Sequence, residues 1–530
     1  MAKGYIIFVL HAHLPYIKHP ECDFFLEEGW LYEAISESYI PLLDMFSRLI
    51  EDKVEFGITL SVSPTLLEMF DDALLRERFI DRVERLIELL GYEIRRAKKS
   101  PLRYNLALSY REHLKKTLRL YVGHYKKDLV SALRGLARTG NIELITTSAT
   151  HAYLPNFAPL PYAVRLQIGV GLEEFKERFK FKGKGFWLPE CGYYKGLDDA
   201  LRGFGIRYTI TESHSVMSPF GVYKPLRTPS GLYVFGRDPL SSKEVWSSKE
   251  GYPRESCYRD FHKDIVYSLP ERYVKRFIHP DGIRIPTGIK YLDIGGRTYE
   301  PKKALRQAGL HALDFIKKKE AFSGSLGFEP LITAPFDAEL FGHWWYEGVF
   351  WLESVLRGLK NSTLRAVTAS DYLRNNKGSY LGEPTPSSWG RGGYGYTWCS
   401  KKNNWAISYI HKAISVLPSL IDRYEKRGGL YRRALIQAIR EALLMQSSDW
   451  PFLIEYETAP HYAEKRLKGH IENFIRIKKM LQNGDIDEEF VSDLEARSPR
   501  FSSIRKVLLR GGVSHMGRTL EMQGTHQRHN

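Results

Sequence analysis

Short apolar runs alternate with longer amphipathic stretches from the start of the chain. YIIFVLHAHL (5–14), VEFGITLSVS (54–63), IELITTSATH (142–151), KGFWLPECGY (184–193), IRYTITESHS (206–215) and PLITAPFDAE (330–339) read as strands. Between them, 66–90, 109–137, 161–180 and 301–319 carry their apolar residues at helical spacing. Strand and helix in repeated alternation predict an α/β fold built on a parallel sheet or barrel. Polar side chains stand where these strands end: His11 and His13 on the first, His151 on the third, Glu190 on the fourth and Asp337 on the last. Parallel α/β folds assemble their active sites along that edge, so the pattern points to catalysis.

The rhythm breaks at 216–300, a stretch rich in Gly, Pro, Tyr and Ser. Its many aromatic residues argue against disorder, and an inserted, loop-rich subdomain lying over the sheet edge is expected there. A second irregular stretch, LGEPTPSSWGRGGYGYTWCS (381–400), marks a boundary. Helices are expected beyond it at 405–424, 429–446 and 460–482, followed from about 495 by a basic, polar tail without apolar periodicity. The expected organisation is a catalytic domain over 1–380 containing the insertion, a helical domain over 381–494 and the tail over 495–530. No internal repeat is present.

Composition narrows the class. With 530 residues and 43% apolar content, the chain can bury a large core and is expected to form two or more domains. MAKGYIIFVL has one lysine and an apolar run shorter than a secretory core, with no cleavage-type segment after it, so a cytoplasmic location is expected. No stretch approaches the roughly 18 uninterrupted apolar residues of a membrane span. The formal charge of +16 raises nucleic acid as a partner. The charge is spread along amphipathic stretches such as 94–128, where Lys and Arg alternate with apolar residues, and no nucleic-acid motif accompanies it. The four cysteines lie far apart without a Cys-x-x-Cys pair, which suggests reduced, buried thiols rather than a zinc ribbon or disulfide framework.

Glu190 and Asp337 each sit at a proline-flanked strand end among aromatic residues, WLPECGYY and APFDAELFGHWW. Two carboxyls delivered by separate strands are what glycosidic cleavage requires, one at the anomeric carbon and one at the leaving oxygen. Aromatic rings stack on sugar faces, and an apolar wall keeps one carboxyl protonated near neutrality. The alternative is that each is a buried ion-pair partner of a Lys or Arg. His11 and His13, two apart on a strand, project to one face. They suit hydrogen bonds to sugar hydroxyls, zinc binding with Asp337 or Glu190 in a metal-dependent deacetylase, or a satisfied core pair. Trp30, Trp246, Trp389 and Trp398 fall in loops or beside Gly, Ser and Glu, where tryptophan signals a binding groove, whereas Trp344, Trp345 and Trp351 follow a strand and read as core.

These segments carry a family resemblance. HAHLPY (11–16), TTSATHAYLP (146–155), FWLPECGYY (186–194), APFDAELFGHWW (334–345) and SSWGRGGYGYTW (387–398) resemble, in order, the signature regions of glycoside hydrolase family 57. The subgroup is that of 1,4-α-glucan branching enzymes and their amylase-like relatives. ALLMQSSDWPFLI (442–454) resembles its C-terminal region, so the likeness covers most of the chain. The resemblance implies an incomplete (β/α)7 barrel, an α-glucan substrate such as amylose, glycogen or starch, a retaining double displacement, and neither metal nor organic cofactor. It implies Glu190 as nucleophile, from WLPEC, and Asp337 as acid/base, from APFDAE. His11, His13, Trp30, His151, Arg237, Trp246, Trp389 and Trp398 are then the sugar-contacting residues.

The chain departs from the subgroup in one loop. Branching members carry a longer loop ahead of the GVYxP segment, with a tyrosine near its end that covers the active site and favours transfer over hydrolysis. Here ESHSVMSPFGVYKP (212–225) is shorter and has Phe220 in the tyrosine's place. A lid that excludes less water shifts a glycosyl-enzyme toward hydrolysis. The leading expectation is a branching enzyme, with an α-amylase-like hydrolase as the alternative on the same residues. A glycogen-binding protein without turnover and the deacetylase are the readings from other classes.

Overall fold

The computed structural model describes residues 4–509 except 24, 248, 278, 280, 281 and 377. Its strands in chain order are β1 (Gly4–Ala12), β2 (Ile58–Val62), β3 (Ile142–Ile145), β4 (Gly185–Trp187), β5 (Tyr208–Thr211), β6 (Leu226–Arg227), β7 (Tyr233–Gly236), β8 (Leu331–Asp337), β9 (Leu364–Ala366) and β10 (Tyr380–Leu381). One sheet has the order β3-β2-β1-β8, with β9 paired to the start of β1, and the other the order β10-β6-β7-β5-β4. The β1–β8, β1–β9, β4–β5, β5–β7 and β6–β10 pairs are parallel, and β6–β7 is antiparallel. Helices separate the parallel strands, among them Ala73–Arg96, Pro101–Leu118, Pro161–Phe179 and Pro301–Ser325. This is the α/β class that the alternation predicts.

All six expected strands are present, and each is shorter than its apolar run. Residues 184–193 are extended only over Gly185–Trp187, after which the chain turns and frees Glu190 from the ladder. β1 is buried along nearly its whole length, on both faces, as a parallel strand covered on both sides must be. That double burial makes its sequence a continuous apolar run rather than an alternation.

The chain divides into two compact units. One holds residues through Leu60, Met69–Leu144 and the stretch beginning at Arg237; the other holds Ser61–Glu68, Ile145–Gly236 and the stretch beginning at Gly378. The expected insertion, 216–300, is therefore not one piece. Its LYVFG segment supplies β7, a neighbour of β5, and from Arg237 onward the chain belongs to the first unit. Nor do the C-terminal helices form a core of their own. Leu166, Ile168 and Phe186 share one cluster of buried side chains with Ile414, Leu435, Ile439, Leu467 and Phe474. The described part of the basic tail also packs. Phe501 and Ile504 are buried in that cluster, and the backbone N–H groups of Phe501 and Ser503 donate to the carboxylates of Glu68 and Glu174. Phe501 precedes the short helix Ile504–Leu509 and Ile504 opens it, too few apolar positions to produce visible periodicity. Residues 510–530 lie outside the described residues.

Among the described residues, no helix is long and apolar enough to cross a membrane. The four cysteines are free thiols. Cys191 and Cys257 are buried as expected, but Cys399 is exposed.

Candidate active site

In the second unit, Pro189–Cys191 form a single tight turn after β4. Pro189 presets the entry, and Glu190 then adopts φ 62°, ψ 21°, followed by Cys191 at φ 51°. Two successive non-glycine residues in the left-handed region cost about 1–3 kcal/mol each, and such strain persists where the surroundings over-determine it. Gly192 is required for a different reason: a Cβ there would lie 2.5 Å from the Tyr153 ring. The backbone N–H of Trp389 donates to the Glu190 carbonyl (2.9 Å), and Tyr193 and Ser387 exchange backbone hydrogen bonds, so the 387–398 segment is fastened along the turn.

Both carboxylate oxygens of Glu190 receive a hydrogen bond. The indole Nε1 of Trp389 donates to Oε2 at 2.7 Å, and Ser448 Oγ donates to Oε1 at 2.8 Å. Ser448 Oγ also lies 2.8 Å from His151 Nδ1. A hydroxyl has one proton, and here it is committed to Glu190, so the hydrogen bonds assign the His151 proton to Nδ1. The resulting relay runs from His151 Nδ1–H to Ser448 Oγ–H to Glu190. His151 is itself left-handed, at φ 57°, and its carbonyl accepts from the Ser448 backbone N–H at 3.0 Å. Beneath Trp389 lies the fully buried Trp187, edge to face at 5.2 Å.

Asp337 closes β8 in the first unit, and His11 is its register partner on β1. The His11 and His13 rings stack with centroids 5.8 Å apart. Burial, helped by the neighbouring His13, holds the His11 imidazole well below its ordinary pKa, so it remains neutral. Glu339, two residues past Asp337, accepts from the His13 backbone N–H at 3.2 Å and from the Tyr39 hydroxyl. Burial raises the Glu339 carboxyl above the usual range, and burial together with Glu339 pushes the Tyr39 phenol far above its own. The strand ends carrying His11, His13 and Asp337 are thus set by a buried Glu339–Tyr39 contact.

Other expected site residues are placed as follows. Arg237 Nε donates to Ser242 Oγ at 2.6 Å, and Trp30 is half-buried on helix Glu28–Ala34. Trp246 ends helix Pro239–Trp246 and is 43% exposed. Trp398, expected as an open groove residue, is 1% exposed and stacks on Tyr153 at 4.8 Å. Gly395, in the same loop, approaches so closely that a Cβ would lie 2.4 Å from the Tyr153 hydroxyl. Phe220 is half-buried, with Lys224 Nζ 4.0 Å from its ring centre. Trp345 and Trp351 are core, at 1% and 0% exposure, but Trp344 is 42% exposed and corrects the expectation for that trio. Adjacent residues in a non-helical turn face different ways, so Trp344 and Trp345 do not both enter the core.

Among the described residues, the group of His, Cys, Asp and Glu side chains close enough to share a metal ion is Glu33, Glu37 and His343, which includes neither His11, His13, Asp337 nor Glu190. Glu37 is already engaged there. Burial favours its neutral form, but the Arg259 guanidinium at 2.9 Å and His343 at 2.9 Å hold its carboxyl well below the usual range. Three residues that matter locally carried no spacing signal in the sequence: Ser448, Glu339 and Tyr39.

Strained glutamate, paired donors and parallel α/β units agree with what known proteins indicate: the chain belongs to glycosyl hydrolase family 57. The model of that family matches residues 7–265, and the model described as 1,4-alpha-glucan branching enzyme, C-terminal, matches 409–507. The chain is 32% identical to the 1,4-alpha-glucan branching enzyme TK1436 of Thermococcus kodakarensis, over 95% of this chain and 78% of that one. The solved structure of that enzyme superposes with a TM-score of 0.85, covering 95% and 96% of the two chains. The alpha-amylase AmyC from Thermotoga maritima is 40% identical, with a TM-score of 0.87 over 94% of this chain and 97% of that one.

Proposed function

We propose that the protein is a 1,4-α-glucan branching enzyme, with Glu190 as nucleophile and Asp337 as acid/base. The observation that carries this reading is the Glu190 carboxylate, held on both oxygens by the neutral donors Trp389 and Ser448. Ser448 comes from the very stretch, 409–507, that matches the branching-enzyme C-terminal model. A carboxylate offers about four acceptor positions. Trp389 and Ser448 orient the carboxylate, and His151 Nδ1 lies 3.6 Å from its Oε1.

In the first step a Glu190 oxygen forms a bond to C1 of a glucose residue while the C1–O4 bond breaks and Asp337 gives its proton to O4. The cleaved chain then rests on Glu190 as an ester. Asp337, now a carboxylate, takes the proton of an acceptor's 6-hydroxyl, whose oxygen displaces Glu190 and forms the α-1,6 linkage. Two inversions retain the α configuration. Water in place of the 6-hydroxyl gives hydrolysis by the same residues. His11, His13, Trp30, His151, Arg237, Trp246 and Trp389 are the sugar-contacting residues on this reading. Trp398 offers no open ring face, and the role proposed for it is to support Tyr153 and the 387–398 loop.

Ser448→Ala removes one donor to a charged group, an interaction worth about 1.5–3 kcal/mol. The expected kcat on amylose falls about 10- to 100-fold with KM nearly unchanged. Steady-state kinetics check this, and an unaltered kcat counts against Ser448 as an orienting residue.

A second reading, an α-amylase-like hydrolase, is favoured by the short 212–225 loop with Phe220 and by the name of the 40% identical relative. Incubation with amylose separates the two, with new reducing ends and new α-1,6 linkages counted side by side after debranching. Branch points that match or exceed net new reducing ends support branching. Reducing ends accumulating without α-1,6 linkages support hydrolysis and direct attention to Phe220.

A further inference from the structure

Trp389 and Ser448 reach Glu190 from separate pieces of the second unit. Trp389 belongs to the 387–398 loop, and Ser448 caps the start of helix Asp449–Glu455. Hydrogen bonds from both to one carboxylate hold only while loop and helix keep their spacing. Trp398 of the loop, Pro451 of the helix and Ser448 line one cavity together with Asn403, so close packing alone does not fix that spacing. We propose that Asn403 is a positioning residue for the reaction, whose side-chain amide sets the separation of Trp389 Nε1 and Ser448 Oγ; the inference rests on Glu190 as nucleophile.

Three observations carry it. First, the amide spans loop and helix. Asn403 Nδ2 donates to the Thr397 carbonyl at 2.8 Å and to the Pro451 carbonyl at 3.0 Å. Thr397 lies in the turn Tyr396–Trp398 that closes the loop, and Pro451 in the first turn of the helix that Ser448 caps. One nitrogen therefore gauges the distance between the two pieces.

Second, the amide is locked. Asn403 is 2% exposed, and its Oδ1 accepts from the Ser400 backbone N–H at 2.7 Å. Both N–H bonds and the oxygen are used, so a flip would set the oxygen against two carbonyls and the NH2 against an N–H. A buried polar group whose partners are all met rigidifies its surroundings. The same junction carries a second tie, because Ser400 Oγ donates to the buried Glu455 carboxylate at 2.5 Å, at the far end of the Ser448 helix.

Third, both ends of the tie lead to a donor. Ser388, the neighbour of Trp389, donates its backbone N–H to the Gly393 carbonyl at 2.7 Å, and its Oγ accepts from the Gly395 N–H at 2.7 Å. Trp389 and Thr397 thus sit in one knit loop. On the helix side the Ser448 carbonyl accepts from the Phe452 N–H at 3.2 Å, so Ser448 and Pro451 share the first helical turn.

The test compares Asn403→Ala and Asn403→Asp with the unaltered full chain, after thermal melting has shown each variant folded at the assay temperature. Asn403→Ala removes the tie, and Asn403→Asp keeps its size but sets oxygen where NH2 donated. Each is expected to lower kcat on amylose about 10-fold with KM changed less than about twofold, a smaller loss than the roughly 100-fold of a ~1 Å misplacement. Because Asn403 acts through the donors, Asn403→Ala combined with Ser448→Ala is expected to cost clearly less than the product of their separate effects. In protein with isotopically labelled tryptophan, the Trp389 indole proton is assigned by its loss in Trp389→Phe. Its magnetic resonance signal is expected to move upfield in Asn403→Ala as the bond to Glu190 lengthens. A residue that served stability alone would lower the melting temperature, multiply with Ser448→Ala and leave that signal in place. Multiplicative losses, or an unaltered kcat with an unmoved signal, overturn the proposal. Turnover of amylose by Glu190→Gln counts against the nucleophile reading, while the Trp389 signal in Asn403→Ala still decides whether Asn403 sets the donors.

Discussion

Glu190→Gln is expected to abolish turnover of amylose while glucan binding survives. The substitution removes the anionic oxygen that attacks C1 and keeps the shape of the side chain. Its hydrogen bonds also predict that the fold tolerates it. Trp389 Nε1 can only donate, so the amide oxygen takes that position. The amide NH2 then faces Ser448 Oγ, which can rotate its proton away and accept. Activity should fall by at least about 100-fold, the low end of what a positioned catalytic group contributes. Retention of more than about a hundredth of wild-type activity would remove Glu190 from the nucleophile's role, because uniform binding losses raise KM instead of lowering kcat.

Asp337→Asn is expected to produce a loss of similar size on amylose, about 10²–10⁴-fold, but with a different signature. An acid is needed only where the leaving group is poor. With α-maltosyl fluoride, whose fluoride departs without protonation, the first step should proceed at near wild-type rate in Asp337→Asn and remain abolished in Glu190→Gln. The pre-steady-state burst of fluoride release in both variants, set beside their rates on amylose, gives a two-by-two comparison. Absence of a fluoride burst in Asp337→Asn would contradict the acid/base assignment.

How far the sequence reveals this arrangement depends on whether the information is local. Strands and their polar carboxyl ends are legible because an apolar run followed by His, Glu or Asp lies within ten residues. The Glu190 turn is legible for the same reason, since Pro189 and Gly192 flank it. Ser448 is not, because its partner lies 258 residues away and a serine between Ser447 and Asp449 resembles any helix start. The indole of Trp389 could be read as a groove residue, but not as a donor to Glu190 from 199 residues away.

The misreadings have equally local causes. Apolarity alone groups Trp344 with Trp345 and Trp351, although the backbone between Asp337 and Gly348 turns and splits adjacent side chains between core and surface. Trp398 shows the reverse: a Gly-rich loop disguises a buried ring, because the glycines serve close packing on Tyr153 rather than flexibility. β7 was concealed within a Gly- and Pro-rich stretch, since four residues suffice for a strand that is paired with β5.

The most direct test of the central claim, a retaining reaction through Glu190, is to trap the intermediate. Asp337→Asn protein supplied with α-maltosyl fluoride should accumulate a glycosyl-enzyme, because the second step lacks its base. Proteolysis and mass spectrometry should then locate a maltosyl ester on the peptide containing Glu190. An adduct on any other residue, or fluoride release in sustained turnover with no covalent species, would contradict the account.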